Sequence, residues 1–330
     1  MARKVVFLLL AGLLLALAGL GLEGYRRYGA PGPLAEPSTV VIPRGSGAGA
    51  IARRLVEAGV TADRWVLPLA AKLTGARPKA GEYLFPAHVS PAEALAQMAE
   101  GRTVVHKLTV AEGLTVRRVL DLVRDADYLA GPVTAKPPEG SLLPETWHLS
   151  RDDRRDEVVA RMEHAMRQTL DSAWAARAPG LPLANPHEAL VLASIVERET
   201  ALPAERPHVA AVFENRLRKG MRLQSDPTVI YELSDGLGFL DRPLDRDDLA
   251  AAHPWNTYVI AGLPPTPIAN PGKASIEAVL HPVASDDLYF VADGAGGHVF
   301  ARTLDQHNAN VARWRRIEKA RAQQDGPTAR

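Results

Sequence analysis

Asn185-Pro186-His187-Glu188-Ala189-Leu190-Val191-Leu192-Ala193-Ser194-Ile195-Val196-Glu197-Arg198-Glu199-Thr200 is the stretch on which the reading of this chain turns. It opens with a good helix start. Asn185 is an N-cap, Pro186 takes the first helical position, and Glu188 stands three residues after the cap. Ala189, Leu190, Val191, Leu192, Ala193, Ile195 and Val196 then cover every face, which is the pattern of a buried helix. Pro203 limits it on the far side.

Two carboxylates, Glu197 and Glu199, end this apolar helix. A carboxyl group there is poorly solvated, so its pKa should rise and it can hold a proton near neutral pH. A general acid needs that property when the bond to be broken joins two sugars. Residues two apart on a helix sit roughly 200° apart, so the two cannot both point at one substrate atom. Glu199 shares a face with Ile195 and Val196 and has the more apolar surroundings. Glu197 shares a face with Ala193 and Ser194. The plain alternative is that both simply end the helix in solvent.

Working outward, the N-terminal end reads as a membrane segment. Arg3 and Lys4 precede an uncharged apolar run from Val5 to Leu22, at the short end of the roughly 20 residues that span a bilayer core. Ala16-Leu17-Ala18 resembles a signal-peptidase site. The run continues through Gly19-Leu20-Gly21-Leu22, which favours an uncleaved anchor. Arg26 and Arg27 balance Arg3 and Lys4, so charge gives no orientation. Export of the long C-terminal part is the default expectation, because no second apolar segment of that length follows. Cysteine is absent, which excludes disulfides, thiol catalysis and thiolate metal sites. The 39 Lys and Arg against 38 Asp and Glu leave a net charge of +1, and that argues against a nucleic-acid binder.

Beyond the anchor the chain is long enough for two domains. Gly29–Pro37 is rich in Gly and Pro and reads as a linker. Strands are expected at Thr39–Pro43, Gly81–Phe85 and Val104–Val110, and helices at Ala48–Ala58, Pro91–Ala99, Val116–Val123 and Arg151–Thr169. Asp125–Pro138 looks irregular. After the buried helix come a strand pair near Leu288–Ala292 and His298–Ala301 and a basic helix at Ala312–Ala322. The expected fold class is α+β: a single transmembrane helix, a small α/β domain and a larger mixed α+β domain. The boundaries are 1–28 for the cytoplasmic tip and anchor, 29–38 for the linker, 39–103 and 104–312 for the two domains, and 313–330 for a basic tail.

Other segments carry polar groups suited to a sugar. Gln224-Ser225-Asp226-Pro227-Thr228 follows a helix stopped near Gly220 and offers an amide, a hydroxyl and a carboxylate in one turn. It also fits an Asx-type turn before a helix. Asn256-Thr257-Tyr258 and Gly262-Leu263-Pro264-Pro265-Thr266-Pro267 form a stiff polar loop. Asp293-Gly294-Ala295-Gly296-Gly297-His298 is most simply a hairpin loop. The histidines show no metal-ligand spacing, and no HExxH or GxSxG pattern occurs. No metal or cofactor is expected.

Taken in order, Leu192–Thr200, Arg222–Tyr231, Asn256–Tyr258, Gly262–Ile268 and Tyr289–Gly294 resemble the MltG (YceG-like) endolytic murein transglycosylases. The resemblance extends upstream to Ile42–Gly45, Ala80–Tyr83 and Thr109–Gly113. Glu139–Trp147 stands where the family tends to have a Gly-Tyr-Leu-Phe-Pro-Asp-Thr-Tyr type of segment, and Leu143, Glu145 and Trp147 depart from it while keeping the chemical types. The match covers roughly residues 38–310.

That resemblance implies an inner-membrane protein with its C-terminal part in the periplasm and a LysM-like first domain, 39–103. It implies cleavage of the β-1,4 bond between N-acetylmuramic acid and N-acetylglucosamine in nascent glycan strands, leaving 1,6-anhydromuramic ends. It places the catalytic residue in the Glu-Arg-Glu segment: Glu199 is favoured, because Glu-Thr looks like the Glu-Ser pair of other lytic transglycosylases, and Glu197 stays open. It also suggests peptidoglycan synthases as partners. Gln224, Ser225, Asp226, Asn256 and Tyr258 are the candidates for substrate binding. Two other readings stand beside it. One is a lysozyme-type muramidase, which requires a second catalytic carboxylate such as Asp226. The other is a non-catalytic peptidoglycan-binding scaffold.

Overall fold

A computed structural model describes residues 2–324. They divide into two compact units. Unit 1 holds the residues up to Lys107 with Tyr128–Ala130 and His148–Asp153, and unit 2 holds Leu108–Asp127, Gly131–Trp147 and the residues from Arg154 onward. The architecture is mixed α+β, with helices carrying most of the mass and three two-stranded sheets.

Unit 1 runs α1 (Ala2–Gly29), β1 (Ser38–Ile42), α2 (Ala48–Glu57), α3 (Val66–Thr74), β2 (Gly81–Phe85) and α4 (Pro91–Glu100). Within α1, Arg3–Gly29 is long and apolar enough to cross a membrane by length and composition. β1 and β2 pair antiparallel from Ser38↔Phe85 to Ile42↔Gly81. Alternation puts Val40 and Ile42 of β1 into a core shared with Tyr83, Phe85, Leu55, Leu95 and Met98. The α4 start is a capping box: Ser90 Oγ accepts from Glu93 N, and the Glu93 carboxylate accepts from Ser90 N at 2.9 Å. Residues 30–37, expected as a linker, lie against this unit. Gly32 N donates to the His88 and Val89 carbonyls at 3.2 Å, and Leu34 is buried. The α3 helix was not foreseen, because its apolar side chains point outward as well as inward and leave no clean amphipathic stripe.

The chain continues through β3 (His106–Thr109), α5 (Val116–Asp125), β4 (Thr146–Leu149), α6 (Arg155–Ala175), α7 (Pro186–Glu199), α8 (Arg206–Arg218), α9 (Asp226–Leu233), α10 (Arg246–Ala250), α11 (Lys273–Leu280), β5 (Tyr289–Ala292), β6 (His298–Ala301) and α12 (Leu304–Gln324). α7 is the axis of unit 2. Its side chains from Ala189 to Val196 are all buried, and α6, α8, α9 and α11 pack around it. Asn185 Oδ1 accepts from Glu188 N at 3.0 Å, so the start of α7 lies where the sequence puts it. α6 begins at Arg155 rather than Arg151 because Ser150–Asp153 closes a turn first, with Ser150 N donating to Asp153 Oδ2 at 2.9 Å. The expected strand at Val104–Val110 narrows to His106–Thr109. β5 and β6 form an antiparallel hairpin whose Gly-rich loop is held by Asp293 Oδ1, which accepts from Gly297 N at 3.0 Å.

Gly140 approaches the ring of Pro267 closely. Its φ is +80°, and a Cβ there would lie 2.6 Å from Pro267 Cβ and 2.7 Å from Pro267 Cγ. Pro267 belongs to the stiff proline loop and cannot swing away. Gly140→Ala should therefore cost about 2–4 kcal/mol, combining the left-handed backbone with overpacking. Gly131 has a φ of +75° but open space around it, so Gly131→Ala should cost only the backbone part, about 1–2 kcal/mol. Urea unfolding of the two variants checks this, and equal losses would mean that the Pro267 contact is immaterial.

Candidate active site

α7 stops at Glu199 because Thr200 turns extended, with φ −134° and ψ 133°. Thr200 Oγ1 then accepts from Leu202 N at 3.1 Å and bonds Glu205 at 3.2 Å. Glu205 in turn receives His298 N at 2.8 Å and His298 Nδ1 at 2.7 Å. The end of α7 is thereby stapled to β6, which fixes the direction in which Glu199 leaves the helix.

Glu199 sits at the foot of a cleft of about 440 Å³ lined by Arg216, Leu223, Gln224, Asp226, Tyr258, Phe290 and His307. Its Oε2 accepts from Ser225 Oγ at 2.8 Å. Burial dominates its titration and pushes its pKa up to about 7. The Ser225 hydrogen bond opposes this, the Asp226 charge adds to it, and His298 and Arg216 oppose it weakly. At neutral pH this carboxyl is thus shared between its acid and base forms.

Glu197 has a different environment. Its side chain is 4% exposed. Oε1 accepts from Arg206 Nη2 at 2.9 Å, and Oε2 accepts from Gly272 N at 2.8 Å, just before α11. It is not among the side chains that line the cleft. The two glutamates therefore diverge as the 200° separation requires. The solvent-facing alternative holds for neither, because Glu199 faces the cleft and Glu197 is paired inside.

The remaining candidates separate into two groups. Gln224, Asp226 and Tyr258 line the cleft with Glu199. Tyr258 OH donates to Asp226 Oδ1 at 2.5 Å. Burial first, and then this bond to Asp226, raises the Tyr258 pKa, so the phenol keeps its proton. Gln224 holds a left-handed φ of 51°, uncommon for a residue other than glycine and a sign of local constraint. Ser225 is buried and touches the cleft only through its bond to Glu199. Asn256 is a correction to the expected binding set. It is fully buried, its amide donates to the Leu249 and Ala251 carbonyls at 3.1 and 2.8 Å, and its Oδ1 accepts from Tyr258 N at 2.9 Å. It shapes the loop that presents Tyr258 and offers nothing to a ligand.

Four further residues, none of them among the candidates named from the sequence, shape the site. Arg216 of α8 ties Leu288 and Leu223 together, donating to their carbonyls at 2.7 Å each. Buried Thr228 and Thr257 join hydroxyls at 2.9 Å, and Ser225 N donates to Thr257 Oγ1 at 2.9 Å. His307 reaches the cleft from α12, and burial, with the nearby Arg216 charge, lowers its pKa. The two threonines were within quoted motifs. Arg216 and His307 had no local signal, since each is one polar residue among several on its helix.

Fold and cleft together define a mixed α+β protein with a protonatable carboxyl at the base of a polar, partly apolar-walled cleft. The YceG-like family matches residues 40–313, and the chain belongs to that family. It is 38% identical over 172 residues to an endolytic murein transglycosylase of Bacillus subtilis (strain 168), covering 52% of this chain and 46% of that protein. It is 28% identical over 322 residues to the endolytic murein transglycosylase of Streptococcus pneumoniae serotype 2, covering 83% of this chain and 58% of that protein. The chain thus spans about half the length of these relatives. A crystal structure of a putative YceG-like protein from Listeria monocytogenes shares 30% identity, with a TM-score of 0.49, covering 83% of this chain and 99% of that one.

Proposed function

We propose that this chain is an endolytic peptidoglycan lytic transglycosylase, with Glu199 as its catalytic acid and base. The observation that carries this reading is the buried Glu199 carboxyl, held by Ser225 and with its pKa raised to about 7, at the base of a cleft large enough for sugars. Glu199 in its acid form donates a proton to the glycosidic oxygen as the C1–O bond breaks. The C6 hydroxyl of the muramic residue attacks C1, and its proton passes to the Glu199 carboxylate. The acid is regenerated, no water is consumed, and a 1,6-anhydro ring results. Intramolecular attack supplies effective molarities of roughly 10⁵–10⁸ M, so no second carboxylate is needed to activate water. Asp226, Tyr258 and Gln224 hold the sugars, while Ser225 orients the acid. Glu197 acts on the fold rather than on the bond.

The names of the two relatives support the substrate, murein. The apolar length of α1 supports a single-pass membrane anchor, and the murein substrate named for the relatives supports placing the remainder in the periplasm. Unit 1, with its own core and a two-stranded sheet enclosing two helices, is read as the LysM-like glycan-recruiting module. Peptidoglycan synthases are the partners this reading suggests. Digestion of purified glycan strands, followed by mass spectrometry, tests the reaction. Anhydro ends support it. Reducing ends that carry an added water would instead make the chain a muramidase with Asp226 as the second carboxylate, and unchanged glycan would make it a binding scaffold.

The pH profile should follow Glu199. Since the acid form must donate, the rate should fall about tenfold per pH unit above a midpoint near 7. Ser225→Ala removes a bond that stabilises the ionised form, so that limb should move to higher pH. Asp226→Asn removes a charge that disfavours ionisation, so the limb should move to lower pH, whatever happens to the maximal rate. Shifts of the same sign in both variants would reject Glu199 as the titrating group.

A further inference from the structure

Unit 1 carries an apolar face that none of the described residues covers. Trp65, at the N-cap of α3, and Leu69 and Leu73 within the helix recur every four residues and so form one stripe. They are 68%, 56% and 77% exposed. Single exposed leucines are ordinary on a protein surface, but a contiguous patch marks an interaction site. The stripe borders a groove of about 380 Å³ whose other wall is α1, from Leu20 through Gly24 to Tyr28. That wall continues directly into the exposed apolar run of α1, where Leu15, Leu17 and Leu20 are 55–75% exposed.

The direction of α3 follows from its ends. Asp63, just before the helix, approaches Arg27 Nη1 at 3.7 Å. Leu73, in its last turn, lines the groove with Leu20, about 10 Å further back along α1 from Arg27 at 1.5 Å per residue. α3 therefore runs back beside α1 toward the segment that is apolar enough to span. Its flanks are cationic: Arg64, Lys72, Arg77 and Lys79 stand against Asp63 alone between residues 63 and 79. The Arg64 guanidinium lies over the Trp65 ring at 4.8 Å, and Tyr25 and Tyr28 stand on the facing wall. A tryptophan at the cap of a short helix, leucines along it and basic residues within and beside it are the pattern of a segment that lies in a membrane interface. A sugar would need polar partners, and this stripe has none to offer.

We propose that α3 is a second membrane contact, seated by its Trp65–Leu69–Leu73 stripe in the headgroup–acyl boundary of an anionic bilayer beside α1. Such seats lie about 5–10 Å into the boundary. The consequence is orientational. With α1 alone, unit 1 would swivel on a single stalk, whereas with α3 seated one face of the unit is held against the membrane. This inference rests on the anchor reading of α1, and the experiment separates the two.

The chain lacks cysteine, so single cysteines can be labelled without competition. Leu69→Cys, Leu73→Cys, Leu13→Cys and Leu84→Cys, each carrying an environment-sensitive dye, are reconstituted as the full chain in phosphatidylglycerol–phosphatidylethanolamine vesicles with or without brominated acyl chains. Leu13 lies in the apolar run, and Leu84 is an exposed leucine on β2, 52% accessible. The expected result is a blue shift and bromine quenching at positions 69 and 73 comparable to position 13, with position 84 unquenched and open to aqueous iodide. Quenching at 13 but iodide access at 73 equal to that at 84 would overturn the seat and leave the anchor standing. No quenching at 13 or 73 would remove both. Shielding at 73 that depends on the protein-to-lipid ratio and not on bromine would assign the face to a second copy of the chain, and the lipid proposal would fall.

Discussion

Glu199→Gln is expected to abolish the formation of anhydro ends while leaving the protein folded. The amide keeps the size of the side chain and can still bond Ser225, but it cannot give up a proton and take one back. Acid–base catalysis of this kind contributes about 10²–10⁴-fold, and here one group serves both half-reactions, so the loss should lie at or beyond the upper end. Folding should survive because the site already tolerates a neutral side chain: burial pushes the Glu199 pKa up to about 7. The folded-state value lies above the ordinary 4.5, so the fold favours the protonated form, and any stability linked to this group declines as pH rises from about 4.5 through 7. Glu199→Gln should flatten that decline. Glycan digestion and urea unfolding at pH 5 and 8 give the two readouts. Near-normal cleavage by the variant would move the chemistry to another residue, and Glu197→Gln would then be the variant to test for inactivity.

Arg206→Met is expected to cause the largest loss of stability in unit 2 without touching the cleft. Arg206 is 9% exposed and pairs with Glu197, 4% exposed, at 2.9 Å. It also reaches Glu112 at 3.1 Å, but that carboxylate is 44% exposed and can return to water. Removing the guanidinium leaves Glu197 with only the Gly272 amide. Breaking one side of a buried pair costs about 3–5 kcal/mol, because the remaining charge is uncompensated. Adding Glu197→Gln to Arg206→Met should recover much of that loss, since the amide still accepts from Gly272 N and carries no charge. The pH limb of the remaining activity should stay where Glu199 puts it. A loss within about 1 kcal/mol for Arg206→Met would show the pair to be as weak as an exposed one. A displaced pH limb would show that Glu197 reaches the chemistry.

The fold was legible wherever a local pattern had a local cause. The Asn185 cap, Pro186 and the all-round apolar run define α7 because capping and burial are both written into adjacent residues. The β5–β6 hairpin was legible from its glycine-rich loop between short apolar runs. The Gly81–Phe85 strand was found with its observed ends. α3 and α11 were missed for opposite reasons: α3 exposes its apolar stripe, and α11 is short and buried among other helices, so neither shows the one-sided pattern that marks a surface helix. Ends were displaced where a turn intervened, as at Ser150–Asp153 before α6.

The site was legible as a set of segments, but not as a set of roles. The sequence by itself determined that two carboxylates end a buried helix, that they face different directions, and that the Gln224–Thr228 and Asn256–Tyr258 segments carry polar groups. Only the tertiary structure decided what waits in each direction. Arg206 and the Gly272 amide converge on Glu197, and Ser225, Asp226 and an open cleft converge on Glu199. The same folding turns Asn256 inward and brings Arg216 and His307 to the cleft. The physical reason is that helical periodicity fixes where a side chain points, whereas its protonation and its access to a ligand depend on the charges, dipoles and solvent that other elements bring to that point.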